Sequence, residues 1–431
     1  MARSKKIQPI VVERLRPSVK RAKRRTVLEG RSRQAPFVLP QAGVLLIVLG
    51  CFFERPTMAG ELFAIFGSLF ILSGSLLIIA FRPLLLRNFQ PSDFLRISIL
   101  MGLWVFLFLN AAFSTVGRAD FVFNTIISHV AIVIAAAVLI ADRNSLSRFC
   151  SLYHSIILLL SLSGIITFFL IIAGFAPALS MGRVDYGYHV VMELYLPVST
   201  VYHWTWISGI SIPRQSFWFR EAGIAPVFLA IAIFIGEQNR CRLWRQLSIA
   251  FGMILTFSTL APALAIISVF FIFCARIKAK YQMVSAVAFV FLLPVTILAL
   301  FYTPDIGIID KSEFAERSIL YRLESMREAW VDWGTLLVGE GMFRAHLGVV
   351  DTSLLAAVDS IGLIGFVSFL IFYFSPFLEG KRTLYWAIGV LPSALALVLF
   401  SQPLFISPFF NLFFIIPLWR LGNDGNRISL R

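Results

Sequence analysis

The sequence predicts an all-α, polytopic membrane protein of about twelve transmembrane helices. Three observations carry that prediction. The chain is 58% hydrophobic with a mean hydropathy of +0.84. Only 14% of its residues are charged, against about 25% in soluble domains. Finally, runs of about 20 apolar residues, the length that matches a hydrocarbon core of about 30 Å, recur along the chain. Most of the polar chemistry interrupts these runs in two long segments, 178–221 and 303–352.

Residues 1–36 read as a basic cytosolic tail without an apolar face and without persistent structure. Twelve Lys or Arg stand against Glu13 and Glu29 within residues 1–33. Such a tail sets topology and touches anionic membrane lipids. It excludes nothing by charge alone, but its position favours lipid over nucleic acid, and no nucleic-acid partner is expected. No cleavable small-residue site follows the first apolar run, so a signal peptide is not expected.

An N-terminal transmembrane bundle is expected over 37–177, with spans near 37–53, 59–81, 94–116, 121–141 and 150–173. Central transmembrane helices follow over 222–302, near 222–236, 247–275 and 281–302. C-terminal helices fill 353–419, near 353–376, 383–400 and 403–419, before a cytosolic tail at 420–431. The 29-residue run at 247–275 is too long for one untilted span. Its middle, Thr256 to Pro262, carries hydroxyls and a proline, which predicts two short helices meeting at a turn. The split also keeps Arg276, Lys278 and Lys280 with the other basic loops on the inner side. Both termini are then cytosolic, and both long polar segments face outward. The connections at 54–58 and 117–120 leave little room for a site.

The segment 178–221 is poor in charge and rich in rings, including Tyr195, Tyr202, Trp204, Trp206, Phe217, Trp218 and Phe219. These suit the headgroup level, the expected role, and also suit stacking on sugar faces. Part of 190–212 is expected as a short amphipathic or re-entrant helix. The segment ends on Arg220 and Glu221, at the mouth of the next helix. A guanidinium there pairs with Glu221 or a lipid phosphate, or else clamps a substrate phosphate. Arg214 and Arg183 are weaker candidates of the same kind.

The segment 303–352 holds five basic and nine acidic residues. Ile319, Leu323, Met326 and Trp330 recur at helical spacing, predicting an amphipathic surface helix. Glu324 lies three residues from Arg327 and can pair with it, which leaves Arg322 the better ligand candidate. Arg344 and His346 follow a glycine-bounded turn. Asp351 stands at the next helix entrance, where it can cap backbone N–H groups; either Asp351 or His346 is a candidate to accept a proton from a hydroxyl nucleophile. The cysteines, Cys51, Cys150, Cys241 and Cys274, all lie in or beside apolar runs. No nucleotide-binding motif or metal-ligand spacing is present, and no cofactor or metal is expected.

Four pieces in order carry a resemblance: Arg220–Glu221–Ala222–Gly223, then Leu255 to Thr259, then Arg322 to Trp330 leading into Leu337 to Gly341, and last Asp351 to Gly365. In this order, the chain resembles the bacterial O-antigen ligase/polymerase superfamily over residues 220 to 370. The resemblance implies a GT-C-like membrane glycosyltransferase of the bacterial inner membrane with a large late periplasmic loop. It would act in lipopolysaccharide or exopolysaccharide biosynthesis on undecaprenyl-pyrophosphate-linked oligosaccharides, with a glycan or lipid acceptor. A chain-length regulator or flippase is the implied partner protein. Arg220 and Arg322 would then hold pyrophosphate with help from Arg327, while Arg344, Arg214 and Glu221 complete the site. Ligases of the superfamily often carry His-Asn where this chain has Asp351 and Thr352, which weakens the ligase assignment. Two nearby anion sites, Arg220 and the Arg322–Arg327 pair, suit a polymerase whose donor and acceptor are both lipid-linked. A flippase or transporter of an anionic polyprenyl lipid is the reading from another class. Transporters place polar residues near the midplane, whereas charges here sit mostly outside the apolar runs.

Overall fold

The computed structural model describes residues 38–82, 88–185, 191–207, 210–276, 298, 302, 324–327, 329–330, 336–343, 353–377, 379, 389–400 and 402–421. Helices α1 (Val38–Phe52), α2 (Met58–Phe81), α3 (Pro91–Phe113), α4 (Ala119–Ala141) and α5 (Arg143–Leu170) come first. Their starts follow local chemistry. Thr57 Oγ1 accepts from the Gly60 N–H at 3.0 Å, and Asp142 caps α5 by accepting from Asn144 at 3.2 Å. At α3, Pro91 occupies the first turn and Asp93 reaches back to the Gln90 N–H at 2.8 Å. Helix α5 continues through a π-helical turn, Ile171–Phe175, into Ala176–Leu179, bending at Gly174, whose φ is 92°.

The chain is not all-α. Segment 178–221 forms a four-stranded antiparallel meander, β1 (Ser180–Asp185), β2 (Val191–Tyr195), β3 (Ser199–Ile207) and β4 (Ile210–Gln215), in the order β1-β2-β3-β4. The helix expected within 190–212 is therefore overturned. The rings expected there at an interfacial belt are strand formers, as are the β-branched residues between them, and they fit a pleated, half-buried surface. Glu193 pairs with Val201 across β2 and β3, and Trp204 with Pro213 across β3 and β4. Tyr195 and Val201 pack on Ile171, seating the sheet on the far end of the α5 rod.

The expected twelve-span, GT-C-like architecture is overturned as well. Among the described residues, five helices are long and apolar enough to cross a membrane: Leu62–Phe81, Pro91–Phe113, Ala119–Ala141, Arg143–Leu179 and Val358–Phe377. The apolar runs at 222–236, 247–275, 383–400 and 403–419 form shorter helices. These are α6 (Ala225–Gln238), α7 (Leu243–Ile254), α8 (Ala261–Arg276), α10 (Leu391–Phe400) and α11 (Pro408–Ile415), with α9 (Val358–Phe374) between α8 and α10. The span expected at 281–302 lies almost wholly outside the described residues. At 1.5 Å per residue, the 14 residues of α6 reach only about 21 Å. Every residue of α6 from Ala225 to Gly236 is buried, as is every residue of α11. A helix that is apolar all round is enclosed by protein, so hydropathy here marked the core of the molecule as well as contact with lipid. The run at 247–275 does divide, at residues 255–260.

Hydrogen bonds define two ends of this helical layer, separated by the length of α2, about 35 Å. At one end, the turn after α1 bonds to residues 218–220 and to Ser407. The Arg118 N–H there donates to Met342 O, and Gln215 donates to Leu255 O. At the other end, Arg82 pairs with Asp142 at 3.3 Å and Arg276 with Glu237 at 2.7 Å. Between them lies a shell of rings, with Tyr153 and Phe413 centroids 4.8 Å apart and Phe219 and Phe228 stacked at 4.5 Å.

A candidate anion site at the sheet end

The turn that carries Arg220 is built before its side chain is considered. Thr200 on β3 is its anchor: the Trp218 N–H donates to Thr200 Oγ1 at 2.8 Å, and Ser216 N–H donates to Thr200 O at 2.9 Å. Phe217 and Trp218 then take φ of 48° and 73°. Bulky residues avoid this left-handed region, which costs about 1–3 kcal/mol per residue. Packing compensates for it, because Phe217 and Phe219 are both fully buried. The turn after α1 receives the result. Met58 N–H donates to Trp218 O at 2.9 Å, Arg220 N–H to Pro56 O at 2.9 Å, and Thr57 bridges Phe219 in antiparallel fashion.

The guanidinium leaves this frame only part-covered, with 29% of the side chain exposed. Arg220 Nη2 contacts Glu221 Oε1 at 3.1 Å, so the ion pair expected between these neighbours forms. Glu221 is itself held, because Gln402 Nε2 donates to its other oxygen at 2.7 Å. Arg214, on β4, donates through Nε to Thr256 O at 3.3 Å and lies 5.7 Å from the Tyr202 ring centroid. These contacts bring the Leu255–Thr259 stretch beside the strand that leads to Arg220. Burial lowers the pKa of the neighbouring His203, and the Arg214 charge lowers it further. At the other side of the sheet, burial opposes the charge on Glu193. Hydrogen bonds from Tyr195 at 2.7 Å and Trp204 at 3.1 Å, with Arg183 at 2.9 Å, outweigh that and hold its carboxyl low.

Arg322, Arg344, His346 and Asp351 lie outside the described residues. Glu324–Arg327 form one helical turn of the expected amphipathic helix, with Arg327 exposed. Its inward residues are Ser325 and Ala329, while Trp330 is 38% exposed and donates to Leu355 O at 3.2 Å. The chain that follows Asp351 is placed by α10. Leu354 N–H donates to Val398 O at 2.8 Å, and the same stretch of chain ends at Gln402, the partner of Glu221. Val398 and Gln402 are four residues apart, at most about 14 Å of chain. The first polar segment and the stretch after Asp351 therefore dock on one short piece of the molecule.

Two contributors escaped the sequence. Gln402 is a lone amide between apolar runs, and its signal was only that isolation. Glu54 sits in the short connection judged too small for a site, yet that connection cradles Arg220. Ser68 Oγ donates to Glu54 Oε1 at 2.6 Å and lies 3.2 Å from Ser128 Oγ. No family model, no curated protein and no solved structure matches this chain.

Proposed function

We propose that this chain is a membrane glycosyltransferase that polymerises undecaprenyl-pyrophosphate-linked saccharide repeat units, with Arg220 binding the diphosphate. Its long apolar helices are those of a membrane-associated protein. The observation that carries the reading is the Arg220 turn: backbone held on three sides, strained at two residues, and side chain left 29% exposed. A donor fixed in advance stabilises charge that grows during reaction without reorganising at that moment. In the proposed step, an acceptor sugar hydroxyl attacks the anomeric carbon of the donor. The C–O bond to pyrophosphate breaks with its electron pair going to the leaving oxygen, where Arg220 meets the charge. The hydroxyl proton passes to a base, for which Asp351 and His346 are the candidates.

The sheet end would face the periplasm of a bacterial inner membrane. Arg82, Arg143, Arg240, Arg242 and Arg276 gather at the other end, as the positive-inside rule requires of a cytosolic face. Arg322, Arg327 and Arg344 are the further candidates for holding that diphosphate.

The test is turnover of a labelled lipid-linked repeat by the reconstituted protein. Chain lengthening supports a polymerase, transfer to a distinct lipid acceptor indicates a ligase, and relocation without new bonds indicates a flippase. Removing one preorganised donor typically costs about 10²–10³ in kcat. Arg220→Ala should lose that much while inserting normally, with Arg220→Lys between it and the wild type. Wild-type turnover in Arg220→Ala would overturn the assignment.

A further inference from the structure

The turn between β2 and β3, Leu196–Pro197–Val198, is apolar and outward-facing. Leu196 is 46% exposed and Val198 42%. It does not stand away from the helices but lies against α5. Ser163 Oγ donates to Val198 O at 2.6 Å and accepts from Val198 N–H at 3.0 Å, while Thr167 Oγ1 donates to Leu196 O at 3.1 Å. The Leu196 N–H donates to Leu179 O at 2.9 Å, and Pro197 has no N–H. Every backbone donor of an exposed turn is thus satisfied within the protein. Water makes that unnecessary, and lipid makes it obligatory.

The height of the turn agrees. Arg148 is the last Asp, Glu, Lys or Arg of α5, and none follows until Arg183. About 20 residues of rise beyond Arg148 cover a hydrocarbon core of about 30 Å. That count ends near Phe168, so Ser163 and Thr167 lie just inside the boundary. The neighbouring outward residues of the same helix, Leu159, Ile166 and Phe169, are 63%, 51% and 55% exposed. This outward face belongs to the longest of the five candidate spans. The apolar turn is continuous with it.

We propose that Leu196–Val198 is a lipid-contacting tip, seated among the acyl chains of the sheet-side leaflet and fixing the sheet at the membrane surface. A strand meander that rests on the bilayer at one turn keeps its charged edge, Arg183 and Asp185, above the headgroups. The proposal is independent of the proposed catalysis.

The experiment uses the full chain with Cys241→Ser, because Cys51, Cys150 and Cys274 are buried. A nitroxide is placed at Leu196→Cys or Val198→Cys, with Arg183→Cys, 74% exposed, as the comparison. In phosphatidylethanolamine–phosphatidylglycerol vesicles, collision with oxygen should exceed collision with a water-soluble nickel chelate at 196 and 198, and the order should reverse at 183. Equal nickel access at 198 and 183 would overturn the proposal. So would protection from both reagents, with spin–spin broadening identifying a second copy and its absence another segment of this chain.

Discussion

Glu54 is the most consequential single residue outside the Arg220 turn. Its side chain is buried, 2% exposed, directly beneath the turn that accepts the Arg220 N–H. Burial raises its pKa from 4.5 to about 7, against the opposing hydrogen bonds from Ser68 and Ser128 and the charge of Arg55. Between these two values, the folded state keeps a proton that the unfolded chain has released. The Glu54 contribution to stability is therefore most favourable below pH about 4.5, falls as pH rises towards about 7, and levels off above, a change of about 3 kcal/mol. Glu54→Gln keeps the shape and removes the titration. Its melting temperature in detergent should exceed that of the wild type at pH 8 and vary less between pH 5 and pH 8. A wild-type slope retained in the variant would assign the titration elsewhere. At this scale, the sequence exposed Arg220 and Glu221, because an adjacent charged pair at a helix mouth stands out. It hid Glu54 and Gln402, whose meaning depends on which turns meet in space.

At the scale of the element, packing separates positions that composition treats alike. Helices α1 and α2 approach through glycines: a Cβ on Gly50 would lie 2.8 Å from Gly67 O and 2.6 Å from Ile71 Cγ1. Gly102, in α3, faces nothing within 4 Å. Gly50→Val should destabilise by about 1–3 kcal/mol through overpacking. Gly102→Ala should stabilise by about 0.5–1 kcal/mol, because it removes backbone freedom at no steric cost. Thermal unfolding of the two variants in one detergent checks both, and equal shifts would contradict the close α1–α2 contact. The same distinction explains what the sequence could and could not reveal about the elements. The long spans of the N-terminal half and the break at 255–260 were legible from run length and from Thr256 to Pro262. The enclosure of α6 and α11 was not, since their apolar runs resemble lipid-facing ones. Nor was the sheet, because its rings suit the membrane interface as well as strands.

The whole molecule is closed at the end away from the sheet by four charges drawn from three distant parts of the chain. Asp93 and Arg96 begin α3, Glu379 follows α9, and Arg420 ends the turn after α11. Arg96 contacts Asp93 and reaches Glu379 at 2.8 Å; Arg420 reaches Asp93 at 2.8 Å and Glu379 through Nε at 2.8 Å. Trp419 Nε1 donates to Glu379 at 2.6 Å, and its ring lies 5.0 Å from the Arg96 guanidinium carbon. Two positive and two negative groups balance, which lets Asp93 and Arg96 be fully buried. Such a network contributes less through net attraction than through the cost of breaking it, because a lost partner strands a buried charge. Arg420→Ala leaves two carboxylates facing Arg96 alone and should cost about 3 kcal/mol. Burial resists ionisation of Glu379, but hydrogen bonds from Arg420, Trp419 and Arg96 prevail and bring its pKa from 4.5 down to about 2. Its contribution is complete above pH about 4.5 and is lost as pH falls towards about 2. Arg420→Ala should therefore lower stability most at neutral pH, and the gap to the wild type should narrow below pH about 4. Glu54 acts in the opposite sense, its contribution growing as pH falls. The two are separable by comparing Arg420→Ala with Glu54→Gln across one pH series. A gap for Arg420→Ala that stays constant from pH 7 to pH 3 would mean that Glu379 does not hold this end of the molecule together.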